Sequence, residues 1–462
     1  MNTHKTLYTV ILSFLICATA CKKQDDWLAA KSNLNSVIPQ TTADFQALLD
    51  RTFTLNYVYA TAGNVGADNS YIPDASIPLV NETERNLYSW KQTIWSGGTS
   101  PEWNDFFINI ELANVALDGL AKISSDSPDY NNVKGQALFH RAMGYYTLTQ
   151  LFCKAYNKTT ASSDLGLPIR LTSDVNILVQ RSSLQDTYNQ IISDASLASQ
   201  LLSATQPYLQ RPVNAAADAL LAKAYLNMGD YINAQTYSSA AINIHPALLD
   251  YNNSTIASPT ATYRFPQYGK GNPEILFYSY GGFYSSVNPV STSKGIVASD
   301  LYSSYDVNDL RKTLFYTVTG GNVKYRGTYS GNSADFCGLA TNEVYLIRAE
   351  SEARQGLTSA AMNDLNHLLI NRYKTNNFTP LVAADAQTAL KMILQERRKE
   401  LPFVSNIRWE DLKRLNLDPV FQATLSKTIS GTTYTLNPND KLYVLPIPDT
   451  EIQISGLQQN QR

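Results

Sequence analysis

Ala219-Leu220-Leu221-Ala222-Lys223-Ala224-Tyr225-Leu226-Asn227-Met228-Gly229-Asp230-Tyr231 is the stretch that decides the fold. Apolar residues recur at steps of three and four up to Met228, which is the period of a helix face. Gly229-Asp230 interrupts the pattern, and Ala234, Tyr237 and Ala240-Ala241-Ile242 resume it. Glycine is the residue that most readily takes the left-handed conformation ending a helix. The alanines let a second, antiparallel helix approach closely. The stretch therefore predicts two packed helices, Asn214–Met228 and Tyr231–Ile244.

Small residues at the close-packed positions and a tight Gly-Asp turn resemble a tetratricopeptide hairpin. The same grammar returns over 341–373. There Tyr345, Leu346, Ala349 and Ala353 lead to Gln355-Gly356, and Ala360, Ala361, Leu365 and Leu369 mark the returning helix. Further helices are read over 103–123, 131–156, 183–204 and 385–401. The fold class is mainly α, with tetratricopeptide-like hairpins forming a scaffold over about 100–250 and 339–415. Between these lie long Gly/Ser/Tyr/Asn-rich stretches, about 56–95 and 251–338, and a shorter one over 427–453. Loops of this length are usually functional. Ten tyrosines fall between Tyr263 and Tyr329. Short strands are expected over 274–280 and 442–446.

Ahead of the scaffold, residues 1–6 are polar, Leu7 to Ala18 are mostly apolar, and Ala18 and Ala20 lead into Cys21. That is the layout of a secretory signal, with an apolar core too short for a permanent span. The small residues before Cys21 resemble a bacterial lipobox. A signal peptide over 1–20 and lipidation at Cys21 are expected, followed by a polar arm over 21–40 that begins Lys22-Lys23-Gln24-Asp25-Asp26. Buried acyl chains gain about 0.8 kcal/mol per methylene and would hold the body on a membrane.

Composition narrows the function. Only 16% of residues are charged, against roughly 25% in average soluble domains. The net charge of −2 offers no footprint for nucleic acid. Tyrosine, with 29 copies, suits a weakly charged surface that meets neutral hydroxylated ligands or proteins. The four histidines (His4, His140, His245 and His367) are not at ligand spacing, so no metal site is expected. For Cys153 and Cys337 two readings stand: a disulfide in an oxidising compartment, or a core position for Cys153 in its apolar helix.

A series of motifs in order resembles the SusD/RagB family of outer-membrane nutrient-uptake lipoproteins, over nearly all of the chain beyond the signal. They begin with Trp103, Phe107, Ile110 and Asn114, then Gly135, Ala137, Arg141, Ala142, Tyr145 and Tyr146, then Leu167-Pro168 and Arg181-Ser182-Ser183. Asn272-Pro273-Glu274-Ile275 and Asp309-Leu310-Arg311 follow. The most recognisable run is Glu396-Arg397-Arg398-Lys399-Glu400-Leu401 with Arg408-Trp409-Glu410-Asp411-Leu412. Leu445-Pro446-Ile447-Pro448 closes the series. One departure is local: Ser405-Asn406-Ile407 stands where the family pattern has a glycine before Arg-Trp. The resemblance implies a helical body with a loop-rich ligand face and an outer-membrane location facing outward. It also implies a SusC-like TonB-dependent transporter as partner, to which a glycan or related nutrient is delivered.

A sugar stacks its apolar face on an aromatic ring and gives its hydroxyls to polar side chains. Aromatics in loops are therefore the ligand candidates: Tyr71, Tyr88, Trp90 and Trp95 about the first long loop, and Phe283 and Tyr284 after the Gly281-Gly282 turn. Asp68, Asn69 and Arg326 are weaker polar candidates. Trp103 and Trp409 read as core, and Trp27 as an anchor for the arm. Glu396, Glu400 and Asp411 invite a glycosidase reading, but crowding arginines favour ionised, paired carboxylates, with Arg398, Arg408 and Arg414 as partners. With no nucleophile elbow, phosphate loop or metal cluster, the chain is expected not to be an enzyme and to need no cofactor. Two rivals to the binding role remain, a protein–protein adaptor and a glycan hydrolase.

Overall fold

Gly229 ends its helix at φ +72°, with its own N–H and that of Asp230 bonded back to Leu226 and Tyr225. The Asp230 carboxylate then accepts the Asn233 N–H (3.1 Å) at the start of the next helix. One Gly-Asp pair thus stops one helix and caps the other. The alanines of the first helix are buried against its neighbours.

The computed structural model describes residues 39–59, 61–282, 284, 286–290 and 293–462. Cys21, Trp27 and Phe283 lie outside these residues. Among the described residues ten helices reach eight residues or more: α1 (Thr42–Leu49), α2 (Pro101–Leu120), α3 (Tyr130–Phe152), α4 (Leu184–Leu201), α5 (Asn214–Met228), α6 (Tyr231–Ile244), α7 (Thr341–Arg354), α8 (Thr358–Leu369), α9 (Ala386–Glu400) and α10 (Ile407–Leu415). From α2 to α6 each packs on the next, as the helical hairpins predict. The series then continues directly from α6 to α7, and α7 supports α8 and α9. The chain between α6 and α7 leaves the array and returns to it. Thr41–Arg462 form one compact unit.

The inserted segment carries its own aromatic core. Tyr251, Phe265, Tyr278, Tyr305, Phe315, Tyr316, Tyr325, Tyr329 and Phe336 are all buried, with Phe403 from the helical side. Buried phenols need partners, and those of Tyr251, Tyr278, Tyr305, Tyr316 and Tyr329 find them. Tyr251 and Tyr329 share a bond of 2.6 Å, Tyr305 donates to the Lys399 carbonyl (2.7 Å), and Tyr278 to that of Ser330 (2.7 Å). Much of the tyrosine content that suggested a ligand-facing surface is therefore interior. Among the described residues the strands form six two-stranded antiparallel ladders.

The helix predictions hold, with ends shifted by a few residues. The expected strand over 274–280 is split into Ile275–Phe277 and Tyr280–Gly281, each pairing with a different partner. The expected strand over 442–446 is absent. Lys441–Tyr443 is a 3-10 turn capped by Asp440, and the Leu445 N–H donates to the Leu151 carbonyl at the end of α3 (2.8 Å). Cys153 and Cys337 are both buried and free, which removes the disulfide reading. Trp103 and Trp409 are core, as expected. Gly66 lies so close that a Cβ there would stand 2.8 Å from the Trp409 ring. Ser405, at the departure from the family pattern, takes φ +47°, a conformation glycine adopts without strain.

The charged run is structural. Arg311 binds Asp309, Glu396 and Glu400, Arg372 binds Glu274 and Glu400, and Arg397 binds Glu343 and Asp411. Arg414 joins Glu350 to Asp411. Arg398 and Arg408, expected to serve the same carboxylates, reach Asp68 instead.

Asp335 differs from these carboxylates. It is buried between Asn288 (2.7 Å) and Asn64 (3.1 Å), with no ion-pair partner among the described residues, and burial pushes its carboxyl up to about 7. In the unfolded chain such a group releases its proton near 4. Between about pH 4 and 7 the native state therefore holds more protons, and stability falls as pH rises, by at most about 1.4 kcal/mol per unit. Asp335→Asn should remove this loss: its gain in melting temperature over the parent should be larger at pH 8 than at pH 5.

Candidate functional site

Ser70–Tyr71 pairs with Ile296–Val297, and this short ladder brings the first long loop against the insertion. Alternation along the strand buries Ser70 and leaves Tyr71 outward, 45% exposed. A hairpin, Leu425–Ile429 with Thr432–Leu436, closes the opposite side. Its alternation turns Leu425 and Lys427 inward and Ser426 and Thr428 outward. Between them lies a cleft of about 450 Å³, lined by Asp68, Ser70, Tyr71, Tyr88, Asp300 and residues 424–428.

Tyr88 forms one wall, its hydroxyl accepting the Ile72 N–H (3.1 Å). The Lys427 ammonium lies 4.0 Å from the centroid of Tyr88 and 4.7 Å from that of Trp90, and donates to the Val65 (3.0 Å) and Gly66 (3.3 Å) carbonyls. Ring faces and carbonyls are weak substitutes for water around a cation. Burial accordingly lowers the ammonium to about 7, with Asp68 opposing the shift. For Asp68 itself burial acts upward, but the Arg408 guanidinium, bound through two 2.7 Å contacts, holds it well below the usual carboxylate range. Arg398 bridges Asn69 (2.9 Å) and Asp300 (2.8 Å), whose side chain stays 65% exposed.

The structure brings Tyr71, Tyr88, Trp90, Asp68 and Asn69 together around this cleft. Tyr88, Trp90, Trp95 and Tyr284, however, are each 5% exposed or less, so their rings pack beneath the loops rather than standing out from them. Trp90 takes φ +53° at the end of the helix Glu82–Tyr88, where glycine is usual, and its indole donates to the Gly66 carbonyl (2.9 Å). Trp95 donates to the Pro446 carbonyl (2.7 Å), and the Tyr284 hydroxyl faces Glu102. Arg326 lies beside Phe315, outside the cleft lining. Sequence reasoning missed Asp300, Lys427 and the hydroxyl-bearing edge of the hairpin. The signal for the last was present in the alternation Leu425-Ser426-Lys427-Thr428 before the Ser430-Gly431 turn.

Chemically the cleft offers one exposed ring, a carboxylate that accepts hydrogen bonds, and hydroxyls that donate or accept them. Asp68 is held ionised by Arg408, and Asp300 is paired with Arg398.

Residues 26–226 match a family model described as starch-binding, associating with outer membrane, and residues 260–462 match the model of the SusD family. A SusD-like protein of Formosa agariphila, P2, is 26% identical over 417 residues, covering 77% of this chain and 79% of that protein. A SusD superfamily structure from Bacteroides thetaiotaomicron superposes with a TM-score of 0.73 at 23% identity, covering 91% of this chain and all of the other. The surface glycan-binding protein A of Bacteroides fluxus gives a TM-score of 0.65 at 16% identity, covering 91% and 99%.

The two cleft carboxylates should respond differently to substitution. Asp68→Asn leaves Arg408 without its anionic partner and should lower the melting temperature by several degrees. Asp300→Asn, on an exposed pair, should change it by no more than about a degree. Thermal unfolding of the two variants side by side checks this.

Proposed function

Because this chain belongs to the SusD/RagB family, we propose that it is a lipid-anchored surface protein of the outer membrane that captures a glycan and delivers it to a SusC-like TonB-dependent transporter. The observation that carries this reading is the match of both halves of the chain, 26–226 and 260–462, to models of this family, the first described as starch-binding and associating with outer membrane. The glycan-binding role of the similar Bacteroides fluxus protein supports it. No helix among the described residues is long and apolar enough to cross a membrane, and Cys21 supplies an anchor of another kind. A lipid tether followed by a polar arm keeps the body at high effective concentration over a membrane partner.

In this reading a sugar ring stacks on Tyr71 while its hydroxyls meet Asp300, Ser426 and Thr428. Tyr88 and Trp90 hold the wall from within, and Lys427 braces the hairpin against them. In this reading Asp68 and Asp300, held by Arg408 and Arg398, serve as hydrogen-bond acceptors for a ligand that is bound and passed on unchanged.

A glycan panel on the otherwise full-length Cys21→Ser chain tests the reading. One or more saccharides should bind without release of product on long incubation, and Tyr71→Ala should weaken that binding about tenfold, or about 1.4 kcal/mol, with an unchanged melting temperature. Binding to no saccharide would overturn it. In cells, Cys21→Ser should abolish uptake while leaving binding in vitro intact. Uptake that persists with the protein released from the membrane would rule out the tethered-lid mechanism.

A further inference from the structure

Exposed aromatic rings gather at a second place, none of whose residues lines the cleft. Phe53, Tyr208 and Tyr268 are 80%, 63% and 52% exposed. At their centre Tyr57 and Tyr280 stack face to face, 4.4 Å between centroids and 14° between planes. Phe53 meets the Tyr57 ring edge-on at 5.4 Å, and Tyr268 leans against it at 6.3 Å. Three separate stretches of chain, around 53–57, 208–211 and 268–280, converge to make this surface.

The platform is built rather than incidental. The Asn56 side-chain amide donates to the carbonyls of Gln210 and Tyr278 (both 3.0 Å), and the Tyr278 N–H donates to the Leu209 carbonyl (2.7 Å). Tyr280 is tied to Asn56 and Tyr59 by backbone bonds. Tyr268 holds φ +57°, a costly backbone for a ring-bearing residue, with its N–H bonded to the Ser330 carbonyl (3.2 Å). Its ring touches Tyr278 of the aromatic core at 6.3 Å and still keeps about half of its surface exposed.

The rim carries polar groups and a paired charge. The Gln210 amide donates to the Tyr57 hydroxyl (3.2 Å), and the Arg211 guanidinium, lying over the Tyr208 ring at 5.5 Å, is matched by two bonds to Asp50. Rings locked by mutual stacking lose little freedom on binding. Flat apolar faces edged by phenol and amide groups complement a pyranose. Such a sugar has an apolar face and a rim of hydroxyls.

We propose that this Tyr57-centred platform is a second carbohydrate-binding surface, which takes glycan chains by ring stacking on Phe53, Tyr57 and Tyr268. The proposal rests on the glycan-binding reading above and extends it to a site separate from the cleft. Two sites on one body strengthen the hold on a polymer that presents many equivalent sugars.

The test is affinity electrophoresis of the otherwise full-length Cys21→Ser chain through gels containing amylopectin, xylan, galactomannan or laminarin. The test variant is Phe53→Ala with Tyr268→Gly, since glycine adopts φ +57° without strain and Phe53 is mostly solvent-exposed. Its melting temperature should match the parent. On the polysaccharide that retards the parent it should bind at least fivefold more weakly, and adding Tyr71→Ala should weaken binding further. A parent that binds while the platform variant binds equally well overturns the platform and leaves the glycan reading standing. A parent retarded by none of the four overturns both. Normal polysaccharide binding with lost uptake in cells would mark the surface as a protein contact, and would likewise overturn the proposal.

Discussion

Glu400 is the point on which the arrangement of the two aromatic regions depends. Near the end of α9, it is shared by two buried guanidinium groups, Arg311 at 3.1 Å and Arg372 at 2.8 Å, and accepts the Asn342 amide at 2.9 Å. Burial acts to raise its pKa, and the two arginines hold it below the ordinary carboxylate value. Arg311 belongs to the insertion and also binds Asp309. Arg372 follows α8 and reaches Glu274 and the Leu249 carbonyl. One carboxylate thus joins the helical array to the segment that leaves it. Breaking such a buried set on one side typically costs about 3–5 kcal/mol. The set acts together with the Tyr305 bond to the Lys399 carbonyl and the packing of Phe403 to seat the insertion against the first long loop.

The second determinant is the division of aromatic rings between inside and outside. Tyrosine is amphipathic, so a sequence rich in it can build either a binding surface or a hydrogen-bonded core. This chain does both. In the insertion most phenols turn inward and satisfy one another or a backbone carbonyl. Tyr71, Tyr268 and Tyr208 stay out. What separates the groups is whether a second layer covers the loop, and only the packing of distant segments sets that.

The helical body was legible because its cause is local. A period of 3.6, alanines at close contacts and Gly-Asp or Gln-Gly turns specify hairpins wherever they occur. The ion-pair character of the run from Glu396 to Arg414 was legible too, since carboxylates among arginines favour pairing. Their actual partners were not. Arg311 and Arg372 lie far from Glu400 in sequence, and Arg398 and Arg408 turn away to Asp68. Trp90 shows the same limit. A bulky residue at a left-handed position reads as a loop side chain free to face a ligand, whereas its indole is drawn inward to the Gly66 carbonyl and the Lys427 ammonium.

By itself the sequence determined the helical scaffold, the resemblance to a family, the anchor expected at Cys21, and the segments in which rings would be found. Those follow from short-range periodicity, turn chemistry and ordered motifs, which need no knowledge of what lies across the molecule. Only the tertiary structure decided which rings face solvent, which acids pair with which bases, and that the hairpin at 425–436 meets the loop at 68–72. Burial and ion pairing depend on distance in space, and residues hundreds of positions apart become neighbours only when the core closes.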